Sequence, residues 1–564
     1  MAGRRTLLIA LLVAAALPYF LNLGATSIID ANEAFYAETP REMIESGNYV
    51  SPTFNYEPRL NKPPLSYWVV AAFYHVAGVS LGASRLPIAL GAMVILATAF
   101  VLGRQAFSVR AGLFAAVTLA ATPRMLLFSR RIIIDVYTAM FLGLTLLCFL
   151  MAETDPARRR RWLAAMYVAA GFGVLTKGPV AVAVPGLVFI VYLVATRQLR
   201  SLGRLMLPAG ALIGAAIVVP YYAALYFQEG GDAIASFLLR ENLARYAEGV
   251  GAPDRGPFFY LPVVFADLYF PWSLLLPAAL ALAPWRDIGR RRTSDTGTLT
   301  DAPPDRANAR LLLGLWIAVI VIFFSLSNGQ QDLYVLPFVV AGAALVGGLI
   351  DGWLAGAWGA GLGRVTTWSV AFVAAVFVSA GPGVVWLSWG PESRLDLAGA
   401  LPAGLLMAAS GLAASVALCR RSRAAAVTAL AAGLITAHWI LVMWALPDFE
   451  RYKPVPHLAR AIAQQGTRPP AVGTYRVAAP SLVFYLRRHI DQMFTEEELR
   501  AFFDAHPGGV CVMPEDEYEA VSASLRVPTR VIASARRFDA RLSDFLARTP
   551  ARRLVLVARS PAVE

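Results

Sequence analysis

Carboxylates are concentrated in the first long polar stretch of the chain, residues 25–85. It contains Asp30, Glu33 and Glu38, continues through Arg41-Glu42, and reaches Lys62-Pro63-Pro64. A carboxylate can accept or donate a proton in catalysis, and a fixed cation can hold an anionic substrate. Because the surrounding chain is mostly apolar, such residues are costly unless they are used. The stretch therefore predicts acid/base chemistry at a membrane surface, where a lipid headgroup would lie.

A second group of charges precedes an apolar run at Phe128–Asp135 and includes Arg130 and Arg131. The two arginines could anchor lipid headgroups, or they could clamp a phosphate that is carried on a lipid. Asp135 lies just inside the apolar run, where a carboxylate needs a partner or a wet cavity. We therefore treat Asp135 as a functional candidate.

Three more segments break the apolar pattern. The hairpin Thr176-Lys177-Gly178 offers one ammonium group at the membrane surface, which is a candidate for substrate binding. Alternatively, the lysine only extends its charged end out of the membrane into water. The segment 240–246 carries Arg240, Glu241 and Arg245, which could instead form a solvated helix with paired charges. The polar interruption 323–337, which includes Tyr334, is a weak signal alone.

The composition places these residues in a polytopic membrane protein. Hydrophobic residues make up 57% of the chain and charged residues 15%, far from soluble averages. Roughly thirteen apolar runs are long enough to be candidate spans. They lie at about 6–24, 86–104, 110–123, 133–152, 161–175, 178–197, 204–227, 257–283, 310–326, 332–350, 365–389, 400–418 and 424–446.

The distribution of arginine sets the expected topology. If the apolar segment 65–79 is not counted as a span, the arginine-rich short loops all fall on one side, which the positive-inside rule makes cytoplasmic. The N-terminus is then cytoplasmic, and residues 63–79 form an interfacial helix on the opposite side. The net charge of +13 thus reflects topology, and the scattered arginines form no basic face for nucleic acid.

The fold predicted is mainly α, with residues 1–446 as the transmembrane domain and residues 447–564 as a small external α/β domain. The latter has strand-like stretches at 471–475 and 554–557 and a helix at 496–505. Within the first domain, 25–85 and 228–257 are the large external loops, and 287–309 is a predicted disordered linker. The three cysteines are too widely separated in this topology for a disulfide.

Taken together and in order, these segments resemble a known family. The chain is similar to the polyprenyl-phosphate-sugar-dependent glycosyltransferases of the GT-C fold, near the bacterial lipid A aminoarabinose transferases and the dolichyl-phosphate-mannose-protein mannosyltransferases. The resemblance runs nearly from one end of the chain to the other. The motifs that carry it are 33–38 with 41–43, 62–64, Asp135, 176–178, Glu241 with Arg245, Pro271-Trp272, 323–325 with Tyr334, and 481–486.

The resemblance implies transfer of a sugar from an undecaprenyl-phosphate-type donor to a lipid, protein or glycan acceptor on the periplasmic side of a bacterial inner membrane. A carboxylate base would activate the acceptor hydroxyl, and fixed cations would stabilise the lipid-phosphate leaving group. The base candidates are Asp30, Glu33 and Asp135. The substrate-binding candidates are Tyr36, Lys62, Arg130, Arg131, Lys177, Arg240, Glu241, Arg245 and Tyr334.

The chain also departs from the family pattern. Asn32 replaces an acidic residue of the aminoarabinose transferases, which leaves Asp30 as a candidate substitute. Asn61 and Asn242 stand where those enzymes carry a Glu and a His thought to hold a metal, and neutral amides are poor zinc ligands. We therefore expect no zinc there and no required cofactor, with a divalent metal left open. Asn328 and Gln330 replace paired lysines, so we expect a different sugar or acceptor.

Two other classes of function remain open from the sequence. A transporter would show inverted repeats and charges near the membrane midplane, whereas these charges cluster at one interface. A non-catalytic flippase partner or assembly factor would keep the fold and lose the acid, as Asn32 allows. The partners expected are the lipid-linked donor, the acceptor and membrane lipids, with no nucleic acid; the sugar, the acceptor and the oligomeric state are not specified.

Overall fold

The computed structural model describes residues 2–28, 32–249, 253–288, 306–388, 396–465, 468–525, 527–536 and 552–560. Two bodies of structure are present: a large helical bundle and a small sheet domain at the C-terminal end. The predicted class, mainly α with a small α/β domain, is confirmed. Asp30 and most of the predicted linker 287–309 lie outside the described residues.

The helices of the bundle are numbered in chain order. The first nine are α1 (Ala2–Ala16), α2 (Asn32–Ser46), α3 (Leu65–Ala77), α4 (Leu81–Ala106), α5 (Val109–Ala120), α6 (Pro123–Ser129), α7 (Ile134–Thr154), α8 (Arg159–Lys177) and α9 (Val180–Ala195). The next eleven are α10 (Leu207–Glu229), α11 (Gly231–Ala235), α12 (Arg245–Glu248), α13 (Tyr260–Val263), α14 (Leu276–Leu280), α15 (Arg306–Ser325), α16 (Val339–Ala355), α17 (Ala360–Ser388), α18 (Ala400–Cys419), α19 (Arg423–Ile440) and α20 (Leu446–Phe449).

Among the described residues, eight helical stretches are long and apolar enough to cross a membrane, or ten if each of two bent pairs counts as one span. The other three predicted spans correspond to α1, α8 and α9, which are helical but shorter or less apolar. The protein is thus a multi-pass membrane protein, while the number of crossings stays a prediction. The segment predicted at 63–79 is a helix, α3, and its 13 residues are too short to cross a bilayer.

Two predicted spans are broken rather than straight. α5 and α6 meet at 67°, and the stretch Tyr260–Leu268 meets Trp272–Leu280 at 116°. A proline follows each break, Pro123 and Pro271, and proline cannot donate the backbone hydrogen bond that would continue a helix. Both breaks bring non-helical backbone to the end of the bundle where the long loops lie.

α16 forms the centre of the bundle, and close backbone approach holds it there. A Cβ at Gly347 would lie 2.3 Å from the carbonyl oxygen of Ala111, so α16 touches the backbone of α5 directly. Small residues at helix crossings allow such contacts within membranes, where the hydrophobic effect adds nothing. α10, α17 and α18 instead keep most of their apolar surface exposed, as helices that face lipid do.

The first loop is ordered around α2. α2 packs on α3 and on a short hairpin of β1 (Thr53–Phe54) and β2 (Glu57–Pro58). The hydroxyl of Tyr74 on α3 donates to the carbonyl of Ala37 on α2 at 3.1 Å. Within α2, Arg41 binds the carboxylate of Glu38 through Nε and Nη2 at 2.6–3.0 Å. Several acids of this loop therefore stabilise its own fold.

Within the described residues, the C-terminal domain consists of four helices and a five-stranded sheet. Its elements are α21 (Pro454–Ala463), β3 (Val472–Tyr475), α22 (Ser481–Leu486), β4 (Asp491–Met493), α23 (Glu496–Ala505), β5 (Val510–Pro514), α24 (Glu515–Val521), β6 (Thr529–Arg536) and β7 (Arg553–Arg559). The strand order is β4-β3-β5-β7-β6, with β3 parallel to β4 and β5 and with β7 antiparallel to β5 and β6. The predicted boundary at 446/447 stays a prediction.

Candidate active site

Asp135 and Lys177 form an ion pair at the loop end of the bundle. Asp135 lies in the first turn of α7, and the ammonium of Lys177, at the end of α8, contacts its Oδ1. Both side chains are 16% exposed, so the pair is largely shielded yet reachable. The Lys177 ammonium also lies over the ring of Tyr334, 4.5 Å from its centroid. Three predicted site residues from three distant segments thus meet at one point.

A second ion group surrounds Glu241. Its Oε2 lies 3.4 Å from Nζ of Lys62 and 3.2 Å from Nη2 of Arg245. The pKa of Lys62 is lowered to about 8, first by burial and then by the nearby charge of Arg245, while Glu241 opposes the shift. The pair of Glu241 with Arg245 four residues later is the helical pairing that the sequence allowed, but Lys62 adds a link to the first loop.

The two ion groups belong to one site, because they act on the same neighbours. Burial raises the pKa of Tyr36 well above its usual range, and the charges of both Asp135 and Glu241 contribute to that rise. The charge of Lys177 likewise lowers the pKa of Lys62. Tyr36 projects from α2 and stacks on Tyr67 of α3, with ring centroids 5.4 Å apart. We call Tyr36, Lys62, Asp135, Lys177, Glu241, Arg245 and Tyr334 the central cluster.

The turn after Lys177 requires glycine. Gly178 has a φ of +91°, a conformation that side chains with a Cβ rarely adopt. A Cβ there would lie 2.9 Å from Oδ1 of Asn242. Asn242 itself donates through Nδ2 to the carbonyl of Phe237 at 2.8 Å. Asn242 thus serves as a packing and hydrogen-bonding residue between the Lys177 turn and the segment that carries Glu241.

The hairpin 327–330 forms hydrogen bonds with the loop that follows Arg245. Asn328 donates its backbone N–H to the carbonyl of Tyr246 at 3.0 Å and its side-chain amide to the carbonyl of Ala247 at 2.5 Å. Gln330 accepts from the backbone N–H of Arg255 at 3.2 Å. The two amides, which replace lysines of the family pattern, therefore bind the loop that follows Arg245.

The structure places Glu33 in a different environment from the central cluster. Its carboxylate is 3% exposed and accepts from Nε of Arg85 at 2.7 Å. Arg85 is buried as well, and it also donates to the carbonyls of Leu23, Thr26 and Ser27 at 2.6–3.0 Å. A carboxylate held by a buried guanidinium is a poor proton acceptor. This geometry therefore favours a structural role for Glu33 over the predicted role of a base.

Arg130 also lies apart, since its guanidinium donates to the backbone carbonyls of Pro18 and Asn22. Its buried position fits a structural anchor rather than the predicted phosphate clamp. Arg131 lies near Glu33, Arg85 and Arg124, and burial lowers its pKa. No hydrogen bond of its side chain occurs within the described part of the chain. Arg240 is exposed on the π-helical stretch Ser236–Ala244.

Sequence reasoning missed Arg85, Arg59 and Tyr67. The guanidinium of Arg59 lies 3.7 Å from the ring centroid of Phe35, and Tyr67 stacks on the central cluster through Tyr36. A signal existed for Arg85, because a charged residue near the start of an apolar helix must find a partner. Its partner could not be read from the sequence, since Glu33 lies 52 positions away.

The central cluster carries three cations against two carboxylates. Such an excess favours an anion, and partial burial strengthens the attraction because little water screens it. Of the two carboxylates, Asp135 pairs with one cation, Lys177, whereas Glu241 pairs with both Lys62 and Arg245. Among the described residues no three His, Cys, Asp or Glu side chains come together as metal ligands. The arrangement can hold a phosphate next to a carboxylate.

The chain is similar in sequence to known glycosyltransferases. Residues 61–223 match the family model of dolichyl-phosphate-mannose-protein mannosyltransferases. The chain is 29% identical to an undecaprenyl phosphate-alpha-4-amino-4-deoxy-L-arabinose arabinosyl transferase of Pseudomonas fluorescens over 61% of this chain and 58% of that protein. It is 30% identical to the corresponding Pseudomonas aeruginosa transferase over 61% of this chain and 60% of the relative. The matches thus span less than two thirds of the relatives' own length.

Solved structures extend the likeness to the whole fold. ArnT from Cupriavidus metallidurans in the apo state superposes with a TM-score of 0.76 at 23% identity, covering 99% of this chain and 98% of that one. The same protein bound to undecaprenyl phosphate gives a TM-score of 0.74 with the same coverage. The chain therefore has the GT-C fold, and its resemblance to the polyprenyl-phosphate-sugar glycosyltransferases, of the lipid A aminoarabinose transferase type, is confirmed.

Proposed function

We propose that the protein is a membrane glycosyltransferase that moves a sugar from a polyprenyl-phosphate donor to a lipid, protein or glycan acceptor. The observation that carries this proposal is the central cluster, in which Lys62, Lys177 and Arg245 surround two carboxylates. Relatives named as users of undecaprenyl-phosphate-linked sugar, and a neighbour with undecaprenyl phosphate bound, support the choice of donor.

In the proposed reaction the acceptor hydroxyl attacks the anomeric carbon of the sugar. The new bond joins the acceptor oxygen to that carbon, the bond from the carbon to the phosphate oxygen breaks, and the hydroxyl proton passes to Asp135. Lys62 and Arg245 stabilise the negative charge that develops on the phosphate oxygen, because they are fixed and partly shielded from water. The products are the glycosylated acceptor and the polyprenyl phosphate.

Lys177 has two roles in this proposal. In the free protein its ammonium forms an ion pair with Oδ1 of Asp135. When the donor phosphate enters, the ammonium can turn toward it and leave Asp135 free to accept a proton. Tyr334, which lies under the same ammonium, and Tyr36 offer aromatic surface for the sugar.

The other candidates receive supporting roles. Arg131, whose charged neighbours are Glu33, Arg85 and Arg124, stays a candidate cation for the donor phosphate. Glu33 and Arg130 hold the backbone before α2. We place the central cluster and the C-terminal domain on the periplasmic side and the N-terminus in the cytoplasm, since the arginine-rich loops lie at the opposite ends of the spans.

Sugar transfer in proteoliposomes tests the proposal. Labelled polyprenyl-phosphate sugars of several kinds are offered with total envelope lipid and protein, and wild type is compared with Asp135→Asn. Loss of the base should lower turnover by about 10²- to 10⁴-fold while the donor still binds.

The matched control is Asp155→Asn, which makes the same chemical change at the opposite end of α7, where Asp155 caps the backbone N–H of Arg158 at 3.2 Å. It should keep wild-type turnover. Binding of polyprenyl phosphate without transfer from any donor would support a non-catalytic partner protein instead. Equal turnover in wild type and Asp135→Asn would remove Asp135 from the mechanism.

A further inference from the structure

The C-terminal domain contacts the loop that carries Tyr36 rather than standing apart from it. α22 packs against α2, and Phe54 of the β1–β2 hairpin belongs to the same apolar core as Leu482, Ile490 and Leu556 of the domain. This core forms on one face of the sheet. The opposite face has its own core with Leu499 and Phe503 of α23. The core on this face, which α21 and α22 cover, thus also includes Phe54 of the first loop.

Asn55 makes the most specific connection. Its side chain is 5% exposed, and both ends of the amide are used on one residue of the domain: Nδ2 donates to the carbonyl of Ile490 at 2.9 Å, and Oδ1 accepts from its N–H at 2.8 Å. The carbonyl of Asn55 contacts Nδ1 of His489 at 3.0 Å. The pattern resembles the pairing of adjacent strands, and the φ of +59° at Asn55 is what turns the amide toward the domain.

Two more contacts fix the backbone that enters α2. The hydroxyl of Tyr485 accepts from the N–H of Ile28 at 2.8 Å, and the ammonium of Lys453 donates to the carbonyl of Ser27 at 2.8 Å. These residues immediately precede the stretch that leads into α2. The motif 481–486, which the proposed chemistry does not use, is therefore the helix that supplies Tyr485.

α2 lies between the domain and the central cluster. Phe35 contacts Phe54 in the core shared with the domain, with ring centroids 4.7 Å apart, whereas the adjacent Tyr36 is under the influence of Asp135 and Glu241. Because α2 is rigid and carries Phe35 against the domain and Tyr36 against the central cluster, it transmits the position of the domain to the cluster. Catalytic groups must be held within about an ångström, and such misplacement costs about 10²-fold in rate.

We infer that the C-terminal domain is a positioning element of the active site, which acts through Tyr485 on the backbone at residues 27–28 and through Asn55 and the shared apolar core on residues 32–36. The inference rests on the proposed function for its catalytic readout. Tyr36 is the member of the central cluster on α2, and the donor-binding cations Lys62, Lys177 and Arg245 lie on other segments, so the domain acts on the placement of the sugar and not on binding of the donor phosphate.

Asn55→Gly is the first variant, because glycine adopts a positive φ without strain and only the amide is lost. Tyr485→Phe removes one hydroxyl and keeps the ring, so it serves if the first variant folds poorly. The matched control is Leu499→Ala, a larger deletion in the core on the far face of the sheet. Folded protein is measured for each variant by gel filtration before assay.

The first readout is the steady-state rate with a polyprenyl-phosphate sugar. Both interface variants should lower kcat by about tenfold to a hundredfold and leave the donor KM within about threefold, whereas Leu499→Ala should keep wild-type kcat per folded molecule. Interface variants with wild-type kcat overturn the inference, and so does an equal loss of kcat in Leu499→Ala.

The second readout is amide hydrogen exchange in α2, which needs no activity. Asn55→Gly and Tyr485→Phe should speed exchange at residues 34–43 by about tenfold, and Leu499→Ala should not. If wild type transfers no sugar, the proposed function fails. Unchanged hydrogen exchange in both interface variants would overturn the coupling between the domain and α2, whether or not the protein is active. Faster exchange together with an unchanged kcat in an active enzyme also refutes a positioning role.

Discussion

The donor affinity should depend on pH through Lys62. Its pKa is lowered to about 8, mainly by burial and then by Arg245, so the ammonium is charged below that pH and neutral above it. A sugar linked through a phosphodiester keeps its single negative charge throughout this range. The attraction between the donor phosphate and Lys62 is therefore present at neutral pH and is lost as the pH rises through about 8.

The size of the effect follows from the titration. At about pH 9 only about one lysine in eleven would be charged if its pKa is about 8, so the donor KM should rise about tenfold between neutral pH and pH 9. The rise should level off once the charge is fully lost. A charge-assisted hydrogen bond contributes about 1.5–3 kcal/mol, which sets the plateau at about 10- to 150-fold.

The assay is the donor KM in proteoliposomes at half-unit pH steps, with wild type beside Lys62→Arg and Lys62→Met. Arginine keeps its charge over the whole range, so Lys62→Arg should show no inflection near pH 8. Lys62→Met should show a raised and flat KM. A flat profile in wild type, or the same inflection in Lys62→Arg, would refute the assignment of Lys62 to the donor phosphate.

Two further substitutions test the surroundings of the cluster. In Gly329→Ala the new Cβ would lie 2.3 Å from the carbonyl oxygen of Arg245, so the loop must shift and the donor KM should rise several-fold. The control is Gly359→Ala, whose Cβ would have no atom within 4 Å and which should leave the donor KM unchanged. Glu33→Gln breaks the buried pair with Arg85 and should lower the free energy of unfolding by about 3–5 kcal/mol, measured by thermal unfolding in detergent, with turnover per folded molecule retained. Unchanged stability with abolished turnover would instead make Glu33 the base.

The helical architecture was largely predictable because apolar runs of membrane length carry a strong signal. The two bent pairs were not, since composition alone does not distinguish a straight span from one broken near Pro123 or Pro271. α1 ends at Ala16, before Pro18, although the apolar run continues to residue 24. In the C-terminal domain β3, β7 and α23 were expected close to where they lie, because the pattern of apolar residues is clear there, whereas β4, β5 and β6 were not predicted.

The members of the candidate site were easier to predict than their pairing. Asp135, Lys62 and Lys177 were recognisable as costly charges beside apolar runs, but their partners lie tens to hundreds of positions away. Glu33 looked equivalent to the other acids until Arg85 was seen beside it. Long-range pairing follows from how helices pack, and a single sequence does not encode that packing in any local pattern.

The central claim is tested most directly by a single-turnover experiment in which excess enzyme meets a doubly labelled polyprenyl-phosphate sugar and an acceptor. The account predicts that each sugar transferred releases one polyprenyl phosphate, and that Asp135→Asn binds the donor but releases neither product at the wild-type rate. Release of the lipid phosphate without sugar on any acceptor, or transfer that proceeds equally in Asp135→Asn, would contradict it.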